Sequence, residues 1–154
     1  MIEPPQIAQT TSQPTAVIPI TVSWEDIKTV MGPTIREVYE TIAAQGIAPA
    51  GPWFTHHFRR PTDTFDLEVS VPLARPIAAA GRVQPGKWPA MRVVRTVYHG
   101  GYEGLGEAWG EFMDWIEAQG LKTADDLWEC YLVGPESGED SAAYRTQLNR
   151  PLLD

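Results

Sequence analysis

The chain has 154 residues, 43% of them hydrophobic, and carries 12 Lys and Arg against 20 Asp and Glu for a formal net charge of −8. That length and apolar content suffice for one domain with its own core, and no apolar run reaches the roughly 18 residues that a membrane span needs. The acidic balance, with no basic cluster larger than Arg59-Arg60, argues against direct nucleic-acid binding and leaves only a weak, salt-screened preference for cationic ligands.

Residues 1–14 are polar and Pro-containing, with no basic n-region and no apolar h-region. They do not read as a secretory signal, and the expectation is a flexible N-terminus on a cytoplasmic protein. Residues 15–22, rich in Val, Ile and Thr, predict a strand, which Pro19 places near an edge or a bulge. Ser23 caps a short turn, with Asp26 three residues on. Gly32-Pro33 opens a helix, Pro being tolerated in the first turn. Ile35, Val38, Tyr39 and Ile42 fall on one helical face, and Gly46 supplies a left-handed C-terminal cap. Residues 53–58 and 65–71 predict a pair of strands. In the second half, residues 91–98 predict a strand and His99-Gly100-Gly101-Tyr102 a turn. Leu105, Ala108, Trp109, Phe112 and Ile116 mark a helix ending at Gly120, and residues 128–133 and 144–149 close the pattern as strands.

The two halves repeat one another. Ile42-Ala43-Ala44-Gln45-Gly46-Ile47 returns as Ile116-Glu117-Ala118-Gln119-Gly120-Leu121, 74 residues on (42 to 116). Trp53 matches Trp128, 75 on, and Val71-Pro72-Leu73 matches Arg150-Pro151-Leu152, 79 on. The offset grows where a loop at residues 134–141 replaces a shorter turn at 60–63. Two drifting copies of a strand–helix–strand–strand unit, residues 15–73 and 91–152, thus make one domain over residues 15–154. The stretch 74–90, rich in Ala, Gly and Pro, reads as a connector. The expected fold class is α+β: two pseudo-symmetric units forming an antiparallel sheet with helices on one face and a ligand cleft on the other.

Strand alternation then sorts the side chains. Phe65, Leu67, Val69 and Val71 should pack on the helices, with Asp66, Glu68 and Ser70 turned away. Carried across by the repeat, Trp128, Cys130 and Leu132 should face the helices, and Glu129 and Tyr131 should face away. Phe54, His56 and Phe58 occupy the equivalent outward face of the first unit. Aromatic side chains beside Glu68 and Glu129 describe a ligand cavity, suited to a flat cation. Trp24 and Trp88, outside the expected elements, are candidate rim residues; Trp109 and Trp115 read as helix core. Tyr98 and Tyr102 flank the Gly100-Gly101 turn. Adjacent His56 and His57 point to opposite faces, so no metal site is expected. The Gly-Gly turn lacks the strand, Gly-rich turn and Lys of a phosphate loop, and no cofactor is implied. No nucleophile elbow or Ser/His/Asp arrangement is present. Cys130 reads as a buried structural thiol.

Several of these segments resemble the stand-alone GyrI-like small-molecule-binding domains, the effector-binding part of multidrug-sensing transcription regulators. In the first half the likeness lies in Gly32-Pro33-Thr34-Ile35, Ala44-Gln45-Gly46-Ile47-Ala48-Pro49-Ala50-Gly51-Pro52 and Phe65-Asp66-Leu67-Glu68-Val69-Ser70-Val71-Pro72. In the second it lies in Tyr98-His99-Gly100-Gly101-Tyr102-Glu103, Trp128-Glu129-Cys130-Tyr131 and Arg145-Thr146-Gln147-Leu148-Asn149-Arg150-Pro151-Leu152. Gln147 stands where many relatives have Glu. The resemblance implies a cleft between the repeats that holds hydrophobic or aromatic compounds, often cationic, against an aromatic cage and a buried Glu, here Glu129. The expected ligand-binding set is Glu129, Glu68, Tyr131, Phe54, His56, Phe58, Trp88, Tyr98 and Tyr102. Some free-standing relatives hydrolyse cyclopropane-bearing toxins; on that alternative Glu129 and Tyr102 are the catalytic pair. A third reading is a protein-binding module that shields gyrase. No stretch reads as a helix-turn-helix.

Overall fold

The computed structural model describes residues 1–138 and 140–153; Glu139, in the expected long loop, and Asp154 lie outside the described residues. In chain order the elements are β1 (Gln6–Gln9), β2 (Gln13–Ser23), α1 (Ile27–Ala44), β3 (Phe54–His57), β4 (Thr64–Pro72), β5 (Gln84–Trp88), β6 (Arg92–His99), α2 (Leu105–Ala118), β7 (Leu127–Val133) and β8 (Arg145–Pro151). They divide into two compact units, Thr11–Ala90 and the chain from Met91 on together with Met1–Thr10. In the first unit the strands run β3-β4-β2-β5, and in the second β7-β8-β6-β1, every pair antiparallel. One helix covers one face of each sheet, which is the α+β, strand–helix–strand–strand architecture that the periodicities predict.

Each core lies between a helix stripe and one strand face. In the first unit Val38 and Ile42 of α1 meet Ala16, Ile18 and Ile20 of β2 and Leu67, Val69 and Val71 of β4. In the second, Ala108, Trp109, Phe112 and Ile116 of α2 meet Val94 and Tyr98 of β6, Leu127 of β7 and Leu148 of β8. Each fully buried aliphatic or aromatic side chain stabilises the fold by about 1.5–3 kcal/mol. Both helices end on a left-handed glycine, Gly46 at φ 67° and Gly120 at φ 69°, a conformation that a Cβ disfavours.

The first helix starts earlier than its sequence suggests. Ile27, Val30 and Met31 pack against the core ahead of Gly32-Pro33, so Pro33 lies inside α1 rather than opening it. An interior Pro costs a helix about 3 kcal/mol; three further apolar contacts offset that. The supposed flexible N-terminus and connector each contain a strand. β1 pairs with β6 and β5 with β2. Both are edge strands, held by main-chain bonds, and need no apolar alternation; Pro85 within β5 is tolerated there for the same reason. The N-terminus is held further by an Ile2–Tyr98 bridge and a Glu3 Oε2–His99 Nε2 contact of 2.6 Å. Trp88 therefore closes a strand instead of standing outside one. Pro19 lies past the end of the β2–β5 pairing, where β2 is locally an edge.

Main-chain bonds recur between the units. Ala50 N–H donates to Pro72 O at 2.8 Å, as Ala124 N–H does to Pro151 O at 2.9 Å; Ile47 N–H donates to Ile42 O at 3.2 Å, as Leu121 N–H does to Ile116 O at 3.2 Å. The equivalence of the third strand thus keeps the helix offset of 74 (50 to 124), while the last strand takes 79 (72 to 151). Under it Thr55 corresponds to Glu129 and His57 to Tyr131. The Trp53–Trp128 match is one residue out of register, and one residue reverses a strand's faces. Glu129 pairs with Leu148 and Tyr131 with Thr146, and Leu148 lies in the core under α2. Glu129 and Tyr131 therefore face the helix, contrary to the expectation, and Trp128, Cys130 and Leu132 face away. Cys130 is half-buried; burial pushes its thiol up to about 12.

Candidate aromatic–carboxylate site

The apolar stripe of α2 carries Trp109 onto the sheet, and alternation along β7 sends Leu127, Glu129 and Tyr131 up to meet it. Glu129 Oε2 accepts the Trp109 Nε1–H at 2.6 Å, and Oε1 accepts the Tyr131 hydroxyl at 2.6 Å. Glu129, Trp109 and Tyr131 are 8%, 5% and 7% exposed. A carboxylate taken out of water needs donors, and these two short bonds supply one to each oxygen. The Tyr131 ring meets Tyr102 edge-on at 5.8 Å and 80°, and Tyr102 leans on Tyr144 at 5.3 Å. Tyr102 opens the single helical turn after β6, and Tyr144 immediately precedes β8. One carboxyl group thus sits among four aromatic rings, an arrangement able to hold a hydrophobic cation or to pass a proton between Tyr131 and Glu129.

Of the expected residues, the second unit brings together Glu129, Tyr131 and Tyr102. Tyr98 is buried, and its hydroxyl donates to Gly101 O at 2.9 Å, so its polar end is committed to the turn. Desolvation raises its pKa, with Glu103 and Glu107 adding to the effect. In the first unit Phe54, His56, Phe58 and Glu68 share the sheet face away from α1, as the alternation predicts, and Trp88 at the end of β5 joins them. His56 Nδ1 lies 3.5 Å from Glu68 Oε1, and the His56 ring meets Phe58 edge-on at 4.9 Å. Trp88 reaches across that face to the buried Phe54, with centroids 4.9 Å apart. These five therefore lie on the opposite type of sheet face from Glu129. Trp109 and Tyr144 were missed. The indole N–H of a core Trp needs an acceptor, which was the signal for Trp109. Tyr144 follows a loop whose composition marks only a turn.

The first unit has a shallow depression of about 670 Å³ lined by Ser23, Trp24, Glu25, Thr62, Asp63 and Thr64. It contains none of the expected ligand-binding set. Among the described residues no group of three or more His, Cys, Asp or Glu could hold a metal ion, and no helix is long and apolar enough to cross a membrane.

The family description "GyrI-like small molecule binding domain" matches residues 3–152. The chain belongs to the GyrI-like family. Solved structures share its fold. The GyrI-like fold here is similar to the C-terminal domain of EcmrR, with a TM-score of 0.86, 19% identity and 98% of each chain covered. Against the EcmrR chain in its complex with DNA, this chain spans 57% of the length. It is similar also to a hydrolase from Listeria innocua, with a TM-score of 0.69, 11% identity and 97% of this chain on 91% of that one. A third likeness is to SAV2435 bound to tetraphenylphosphonium, with a TM-score of 0.64, 12% identity and 98% of this chain on 94% of that one. At these identities the likeness establishes the fold. A search of curated protein sequences finds no match.

Proposed function

We propose that this GyrI-like domain binds hydrophobic aromatic compounds, cations included, with Glu129 as the buried counter-charge and Trp109, Tyr131, Tyr102 and Tyr144 as the surrounding rings. The observation that carries the reading is the Glu129 carboxylate, almost fully buried and held by two donors at 2.6 Å. Taking a carboxylate out of water is costly, and a bulky cation beside it would offset part of that cost. Aromatic faces add attraction for the same ligand class. The fold is shared with SAV2435, which was solved with tetraphenylphosphonium, a hydrophobic cation of this kind. Titration with tetraphenylphosphonium by calorimetry tests the reading: saturable binding at one equivalent supports it, and no heat across a panel of hydrophobic cations removes it.

The short Tyr131–Glu129 bond also supports a hydrolytic reading, in which the pair moves a proton while an electrophilic small molecule is opened by water. Mass spectrometry of the same mixtures separates the two, since a binder returns its ligand unchanged and a hydrolase adds the mass of one water.

A further inference from the structure

The register that places Glu129 also pairs the rest of its surroundings with residues of the first unit. Leu73 N–H donates to Pro14 O at 2.9 Å, and Leu152 N–H donates to Arg92 O at 2.9 Å, so β2 and β6 correspond at 78 (14 to 92). Gly100 N–H still donates to Tyr144 O at 3.1 Å, where Val22 stands opposite Phe65. On this register Tyr102 answers to Trp24, Tyr144 to Phe65, Tyr131 to His57 and Glu129 to Thr55.

One ring contact recurs and one differs. Trp24 stacks on Phe65 at 5.2 Å and 16°, as Tyr102 leans on Tyr144, while His57 meets Phe65 at 6.2 Å where Tyr131 meets Tyr102. Thr55 Oγ1 lies 3.0 Å from His57 Nε2, in the place of the Tyr131–Glu129 bond. A lone exposed Trp means little on a protein surface. Trp24, however, is 61% exposed and forms part of the lining of the 670 Å³ depression, and its partners lead inward to a buried polar pair. The charge differs between the two boxes. Thr55 replaces the carboxylate, and Ile35 stands at the Trp109 position (35 to 109). Glu25 and Asp63 line the rim, and the Arg59 guanidinium donates to two other lining residues, to Thr64 Oγ1 at 2.6 Å and Thr62 Oγ1 at 3.4 Å.

We infer that the first unit carries a second binding site in this depression, formed by the exposed ring of Trp24 with Phe65, His57 and Thr55 behind it, which takes an uncharged planar aromatic molecule by stacking on Trp24. The site stands independently of the Glu129 reading. Coumarin, neutral and planar, is the probe, and the readout is the NMR signal of the Trp24 indole N–H and of the His57 ring, assigned from single variants. Both signals should shift saturably, and the dissociation constant should stay within about twofold in Glu129→Gln. Trp24→Ala should weaken coumarin about tenfold, the scale of one lost stacking partner. Trp24→Phe, which keeps a ring on Phe65, should recover binding to within about threefold. Circular dichroism checks that both variants stay folded, as the exposure of Trp24 leads one to expect. Shifts that grow linearly without saturating overturn the inference, as does full-strength binding by Trp24→Ala. So does a Trp24→Phe variant as weak as Trp24→Ala.

Discussion

Glu129→Gln separates charge from shape at the candidate site. The amide keeps the size of the side chain, and its oxygen still accepts one donor. Trp109 N–H can only donate, so it retains that oxygen, and the Tyr131 hydroxyl turns to accept from the new NH2. The internal bonds, both 2.6 Å in the parent, are thus redistributed, and the fold should lose no more than about 1.5 kcal/mol. The loss for a bound cation is larger. A desolvated carboxylate–cation contact contributes on the order of 1.5–3 kcal/mol, a tenfold to hundredfold change in affinity. Calorimetry with tetraphenylphosphonium should show that loss. Triphenylphosphine oxide, similar in bulk and uncharged, should bind the two proteins within about twofold of each other. Equal losses for both ligands would refute the counter-charge role and point to altered packing; unchanged affinity for the cation would remove Glu129 from the site.

Cys130, with its thiol raised from 9.0 to about 12 by burial, keeps its proton in the folded state while the unfolded chain loses its own. Stability should therefore be unaffected below about pH 9 and fall between pH 9 and 12, by up to about 1.4 kcal/mol per unit; in Cys130→Ala urea titrations should show that alkaline fall reduced. A Cβ on Gly104 would collide with the Tyr98 hydroxyl, so Gly104→Ala should cost about 1–3 kcal/mol. Adding Tyr98→Phe should recover part of that loss, and strictly additive losses would contradict the contact. Phe112, the fully buried residue of α2 in the second core, should cost about 3–5 kcal/mol on truncation to Ala, read as a lowered urea midpoint.

Helices, cap glycines and the six repeat strands were legible because each rests on local chemistry: a 3.6-residue apolar stripe, a left-handed glycine or a run of β-branched residues. The edge strands β1 and β5 were not, since pairing at an edge is written in the main chain and leaves little trace in side-chain pattern. The start of α1 was hidden by Pro33, whose local preference was overridden by tertiary contacts of Ile27, Val30 and Met31. The site failed on a single residue of register. Two Trp residues made an attractive match, whereas the hydrogen bonds of the helix ends fix the count at 74 (47 to 121). Sequence alternation carried on that match turns Glu129 to the wrong face. Its main partner, Trp109, was set aside as core because sequence shows the apolar body of an indole more readily than the need of its N–H for an acceptor.

The edge strands also bear on how the chain is made. Thr11–Ala90 is contiguous, so the first unit can close as soon as it has emerged from the ribosome. β1 is synthesised before it and pairs with β6, Gln6 standing opposite Arg95. During translation that strand must wait, unpaired, while an entire unit folds behind it, with Ile7 still half exposed even in the finished protein. Closing so long a loop costs only a slowly growing entropy, so the finished pairing loses little by it. The delay is the vulnerable stage: a waiting strand can pair with the β6 of another copy, and slow synthesis at high concentration would then yield strand-exchanged dimers with both units otherwise intact.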